Sequence, residues 1–396
     1  MAKSLDIASW RKTSPEEMVS FYESKRKRKK PIRSGFLVIR SQLRPVDVYA
    51  YLRTRFGMPN GFQNWLRRDD SDNWIHWDFN LKADDVDVYI AGTSRDIHFM
   101  IAEEISDQEW KEIIIGLKFD FGRIGRAKSD MTRSFEKFVV FQNKFMTLAN
   151  LCAEMHESII DTPTYETNLP EITTKRSLKR YSSTVNQLAK RATDLYGNCL
   201  KLRLLTPIMA EAFINMVILV FCKDEVRNDI ERYQAFIRSN LPKRIAALNE
   251  NCDGFTGPVD QRTLVYSDFK RVMDKRSFAI HGNIDPIREQ IETVYFEGTR
   301  PIFADGGDNV LKLFENLETI NSPQDVIADY EVVHLFLVEI MDYLTDRHRV
   351  FFDQVIADPY PGYELKKHKV TKILPNHNML VLMPRVRYDD DLNVIW

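Results

Sequence analysis

Near residue 133 the hydrophobic pattern of the chain changes period, and that change limits what the chain can fold into more than any other feature. Upstream, short apolar runs alternate with turn residues. Residues 36–40, 74–79, 86–91 and 97–102 read as strands, the last two joined across Gly92-Thr93-Ser94-Arg95. Helical spacing over 46–56 stops at Gly57, and 107–118 reads as a helix with Ser106 as its N-cap. Downstream, helical spacing persists. A helix over 135–157 carries Phe138, Phe141, Phe145, Leu148 and Leu151 at helical steps, and another is expected at 177–200. Pro207 suits the first position of an apolar helix running to 222, with further helices at 224–240, 262–280, 308–317 and 322–357. Residues 291–303 suggest a β-hairpin across Glu297-Gly298-Thr299, and the tail suggests a second, its arms 370–374 and 379–383 flanking a turn at 375–378.

These patterns predict an α+β protein. A helical or flexible basic lead (1–31) precedes a small mixed α/β domain (32–125), a mainly helical domain with a β-hairpin insertion (126–360) and a C-terminal hairpin tail (361–396). A chain of 396 residues is too long for one ordinary core, and 44% hydrophobic with 29% charged residues is a globular composition. No span of about 18 apolar residues is evident, so no membrane crossing is expected. The longest candidate, residues 213–222, is interrupted by Asn215 and reads as a buried core helix. The first residues lack the apolar stretch of a secretory signal, which makes cytoplasmic residence the expectation. Cys152, Cys199, Cys222 and Cys252 form no CxxC pair and read as reduced thiols. A net charge of −1 excludes a globally basic nucleic-acid binder but leaves room for local basic surface. Such clusters occur at 25–30, at 123–133, and at Lys175, Arg176, Lys179 and Arg180, and the ordinary reading of each is a solvated face. No HExxH, clustered His–carboxylate ligands or GxxxxGK loop is present, so neither a metal nor a cofactor is expected.

The residues richest in chemistry end the 262–280 helix. Val265, Phe269 and Val272 step by four and three along a core-facing stripe, and the next position on it is Arg276. A guanidinium on a buried stripe cannot shed its charge, so it needs a partner, a wet cleft or an anionic ligand. His281 follows where Gly282, Asn283 and Pro286 signal termination, and a last-turn histidine can swing toward the face of Arg276. In the apolar 207–222 helix, Glu211 and Asn215 lie four apart on one face. If that face meets Arg276, Glu211 can neutralise the guanidinium and Asn215 can orient the imidazole or a phosphate. The alternative is a buried ion pair that only satisfies charge within a bundle.

Arg276, His281 and Gly282, at the end of a helix in a helical bundle, resemble the Arg-x4-6-His segment of the HEPN domain, over residues 135–355 at most and most densely over 205–285. The helix bearing Glu211 and Asn215 is similar to that family's earlier core helix with its auxiliary polar residue. Ser277 stands where many members carry Asn or Asp, with Asn283 a further supporting polar group.

The resemblance implies a HEPN-like helical bundle and a metal-independent endoribonuclease, with RNA as partner and a role as toxin or antiviral effector. The 2′-hydroxyl of RNA is the nucleophile, and the product is a 2′,3′-cyclic phosphate. His281 would move the proton, and Arg276 would bind the scissile phosphate. One imidazole cannot serve as acid and base in a single step, so a homodimer with two facing motifs is expected. The N-terminal α/β domain would sense or regulate through a ligand or protein. The rival reading is a non-catalytic HEPN-like dimerisation module whose α/β domain binds a partner or ligand.

Overall fold

The computed structural model describes residues 6–27, 35–67, 73–162, 169–280, 286–287, 290, 292–306, 309–373 and 386–396. The chain forms two compact units, one of residues 1–140 with 362–396 and one of residues 141–361. The sequence suggested breaks at 125 and 360, with lead and tail as separate segments. The structure groups both with the α/β unit.

That unit is built on β1 (Arg11–Lys12), α1 (Pro15–Lys27), β2 (Gly35–Ile39), α2 (Pro45–Phe56), α3 (Phe62–Leu66), β3 (Trp77–Ala83), β4 (Val86–Gly92), β5 (Ile97–Ile101), α4 (Asp107–Arg123), α5 (Gly125–Arg133) and β6 (Phe138–Val140). Five strands pair in the order β1-β3-β4-β5-β2, and every pairing is antiparallel. The short links 84–85 and 93–96 require this of β3–β4 and β4–β5, because hairpin-length connections can join only antiparallel strands. The 74–79 strand also shifts: pairing begins at Trp77, opposite Gly92, where any Cβ would collide with the Trp77 ring.

One sheet face packs Leu37, Phe79, Leu81, Val88, Ile90 and Phe99 against Tyr51 and Leu52 of α2 and Trp110, Ile114 and Leu117 of α4. Gly57 ends α2 with φ +78°, a conformation glycine adopts freely. Ser106 and Glu109 start α4 with a reciprocal capping box. The lead is part of this core, since Ile7 and Trp10 are buried in it and β1 adds to β3. Arg55 holds it there, donating to the carbonyls of Ile7 (2.6 Å) and Ala8 (2.7 Å) and to Tyr51 Oη (2.5 Å). Tyr51 in turn donates to Asp120 Oδ2 at 2.6 Å, in a site where burial and then that carboxylate push the phenol pKa up. Tyr51→Phe is therefore expected to lower the stability of this unit by about 2 kcal/mol, the usual worth of a bond to a charged acceptor, measured by urea denaturation. An unchanged midpoint would show that Arg55 and Arg123 satisfy Asp120 without the phenol.

The second unit is helical: α6 (Lys144–Ile160), α7 (Lys175–Phe221), α8 (Asp224–Asn228), α9 (Ile230–Arg238), α10 (Leu241–Ala246), α11 (Leu248–Asn251), α12 (Leu264–Ile280), the hairpin β7 (Val294–Glu297) and β8 (Arg300–Phe303), then α13 (Asn309–Asn321), α14 (Pro323–Asp342) and α15 (Asp346–Ile356). Several expectations change, among them the single helix over 322–357, which is divided into α14 and α15 at residues 343–345. The 135–157 helix begins only at Lys144, behind an Asn143 cap that accepts from Met146 N, because Phe138 lies on β6. The two helices divided at Pro207 are one 47-residue helix with the proline inside it. Proline forfeits one helix hydrogen bond, but Leu202, Thr206, Met209 and Ala210 on either side are all buried, so packing carries the helix through. Residues 224–240 form two short helices in place of one.

The merged α7 also revises the membrane expectation. Among the described residues it is the one helix long and apolar enough to cross a bilayer, and 56% of its apolar window is buried inside the protein. Around it pack α6, α12, α13 and α14, with Phe269 of α12 stacked on Phe336 of α14 at 4.0 Å.

The chain returns through β9 (Gly362–Glu364) and β10 (Lys369–Thr371). The strand order is β10-β9-β6, so β9 pairs with both β10 and the strand on which the chain left the α/β unit. Residues 370–371 of the expected tail hairpin pair with β9 instead, while its turn and second arm lie outside the described residues. Residues 387–388 cover the outer edge of β2, where Val38 N donates to the Arg387 carbonyl at 2.9 Å.

Candidate functional site

On α12, Tyr266, Phe269 and Val272 are buried and Arg276 continues their stripe, its side chain 26% exposed. The face of α7 bearing Glu211 and Asn215 meets it, as the spacing suggested: Arg276 Nη1 lies 3.5 Å from Glu211 Oε2. The contact is long for a charge-assisted bond. The reason is a second guanidinium absent from the sequence reading. Arg244 of α10 donates through Nη2 to Glu211 Oε1 at 2.6 Å and through Nη1 to Asn215 Oδ1 at 2.5 Å. Glu211 is therefore held mainly by Arg244, and the Asn215 carbonyl oxygen accepts from it as well.

Arg244 had a readable signal. Leu241, Ile245 and Leu248 step by four and three, and all three are buried together with Arg244. Ending the preceding helix at residue 240 left that stripe, and its cation, unread. Asn240 instead caps a new helix, accepting from Lys243 N at 3.1 Å.

The other cation on this stretch of α12 is spoken for, since Lys275 Nζ lies 2.7 Å from Asp329 Oδ2, a buried carboxylate on α14. Ser277 falls within α12, but its side chain, like all of His281 and Asn283, lies outside the described residues. Among the described residues the site thus brings together Arg276, Glu211, Asn215 and Arg244. Each of Arg244 and Arg276 also has a buried Nε without a hydrogen-bond partner. The arrangement can bind an anion, because two guanidiniums share one carboxylate.

Elsewhere in this unit, Tyr330 of α14 contacts the rings of His156 on α6 (4.8 Å) and His334 (4.4 Å). Burial, and then the neighbouring His156, depress the His334 pKa from the usual 6.5. A depressed histidine stays neutral in the folded chain while the unfolded chain takes up a proton, so stability falls as pH drops below about 6.5. His334→Gln is expected to flatten that acid limb of the helical melt followed by circular dichroism. An identical limb in the variant would assign it to other groups.

All four cysteines are free and buried. No group of three or more His, Cys, Asp or Glu among the described residues is placed to hold a metal ion. The basic cluster at 123–133 is largely paired internally, through Arg123–Asp120, Lys128–Asp47 and Arg133–Asp130. No protein-family model, curated protein or solved structure matches this chain.

Proposed function

We propose that the protein is a metal-independent endoribonuclease of the HEPN type, in which Arg276 binds the scissile phosphodiester and His281 transfers the proton. The observation that carries this reading is the loosely held Arg276 guanidinium: its carboxylate neighbour is already engaged by Arg244, which leaves the partly exposed Arg276 fork able to take a phosphate. In the reaction the RNA 2′-oxygen bonds to phosphorus as the P–O5′ bond breaks. The proton leaves the 2′-hydroxyl and another reaches the 5′-oxygen. Since these transfers need a base and an acid, two copies of the chain would supply one imidazole each, with RNA as substrate and the α/β unit as the regulatory part. Cytoplasmic action as a toxin or defence effector fits such an activity. The test is RNA cleavage in excess chelator with end-group analysis: fragments ending in 2′,3′-cyclic phosphate support the reading, and intact RNA with both monomeric and dimeric protein overturns it.

One observation favours the rival, non-catalytic reading. The hairpin β7–β8 exposes Tyr295, Phe296, Ile302 and Phe303 together, more large apolar surface than a two-stranded ribbon needs for itself. In that reading the hairpin docks a partner and the Arg276 cluster only satisfies charge. Chelator-resistant, site-dependent cleavage separates the two.

A further inference from the structure

We infer that Arg244 is a positioning residue of the Arg276 site: it occupies Glu211 and Asn215 on α7, and so keeps the Arg276 guanidinium available to an external phosphate. The inference rests on the reading of Arg276 as a phosphodiester-binding group, and adds to it a residue that never touches the substrate.

Charge and distance carry the argument. Lys275 and Asp329 balance one another at 2.7 Å, which leaves two guanidiniums and one carboxylate among the described residues of the site, a surplus of one positive charge there. Which guanidinium holds the surplus is decided by geometry. The Arg244 side chain is 8% exposed, and both ends of its fork are engaged, at 2.5 Å to Asn215 and 2.6 Å to Glu211. A guanidinium so buried cannot deprotonate and has little water, so it depends on Glu211. Arg276, at 26% exposure and 3.5 Å from the carboxylate, has solvent as an alternative and does not.

Without Arg244, the Glu211 carboxylate has a single cation left beside it. It would close on Arg276 to hydrogen-bonding distance and compete with any phosphate from within the molecule, at the high effective concentration of a tethered group. Phosphate affinity would then fall although Arg276 itself is untouched. Removing the Glu211 charge at the same time abolishes the competitor, so a second substitution should repair the first. A residue that merely supports the fold, or one that contacts phosphate directly, gives no such repair.

The experiment uses the full chain and a fluorescent single-stranded RNA carrying 2′-O-methyl groups throughout, which presents phosphodiesters but lacks the nucleophile. Anisotropy titrations compare wild type, Arg276→Gln, Arg244→Gln, Glu211→Gln and the Arg244→Gln/Glu211→Gln pair. Arg276→Gln and Arg244→Gln are each expected to weaken binding by about tenfold, the loss of one charge-assisted contact. The double variant is expected to return to within about threefold of wild type, a difference under 1 kcal/mol. A double variant as weak as Arg244→Gln overturns the positioning role, and wild-type binding by Arg276→Gln overturns the anion site itself. Should Arg244→Gln fail to fold, Arg244→Lys replaces it: one ammonium can hold Glu211 without Asn215, so binding nearer wild type than that of Arg276→Gln is expected, and binding as weak as Arg276→Gln counts against the proposal. Because this probe cannot be cleaved, the result stands apart from the nuclease reading: repair without RNA cleavage would retire the enzyme and keep the anion site.

Discussion

If the proposed nuclease reading holds, Arg276→Ala and His281→Ala are each expected to reduce metal-free RNA cleavage by at least about a hundredfold, the lower end of what a positioned proton-transfer group or transition-state cation contributes. The Arg276 variant is the more telling because the structure separates its chemical role from a structural one. Glu211 remains bonded to Arg244 at 2.6 Å when Arg276 is removed, so no buried carboxylate is orphaned and the fold is expected to stay within about 1 kcal/mol of wild type. Arg276→Lys restores the charge but not the fork, and is expected to recover little of that activity. Parallel thermal melts complete the measurement. Stable, folded and inactive variants support catalysis; cleavage that persists equally in wild type and both variants removes these residues from the mechanism. Loss of stability in step with loss of cleavage, above all for Arg276→Ala, would return the cluster to a role in packing.

Local chemistry was legible in the sequence, and long-range pairing was not. Gly57 behind α2 and the Ser106–Glu109 capping box act over a few residues, so composition alone marks them. Arg276 could be suspected because one helix carries both the stripe and the cation. The meeting of α7 with α12 could only be posed as a condition, from two polar residues four apart on an apolar helix, and it is the contact of Glu211 with Arg276 that meets it. What failed has a common cause. Phe138, Phe141 and Phe145 satisfy helical spacing, yet Phe138 is claimed by β9, whose Glu364 pairs with it from more than two hundred residues away. Pro207 is a local stop signal overruled by burial on both sides of it. Arg244 lies beside a short apolar stripe that could mark it as buried, but its two partners belong to a different helix, which no local spacing announces. The site's polar ring is in this sense a tertiary property, legible only once α7, α10 and α12 are in place.

The tail makes the same point and gives the second large expectation. Asp389 is fully buried, and its carboxylate accepts from Arg40 N (3.1 Å), Ser41 N (3.0 Å), Ser41 Oγ (3.0 Å) and Gln42 N (2.7 Å), groups at the end of β2. Around it, Arg40 lies 3.9 Å over the Tyr388 ring and pairs with Asp390, while Arg387 pairs with Asp107 of α4. The acidic run 389–391 therefore caps the edge of the sheet. Asp389→Ala would remove the shared acceptor of three partly buried backbone amides, and is expected to cost about 2–3 kcal/mol, the loss of several bonds to one charged acceptor offset in part by water reaching the amides. Asp389→Asn keeps one carbonyl oxygen and should cost about half as much. The measurement is clean because all six tryptophans, at 10, 65, 74, 77, 110 and 396, belong to the α/β unit, so urea denaturation followed by tryptophan fluorescence reports on that unit alone. A midpoint unmoved by Asp389→Ala would mean that the loop at 40–42 finds water in place of the carboxylate. A shifted midpoint for both variants, in the order Ala below Asn, would make residue 389 an obligatory part of a sheet that begins at residue 11.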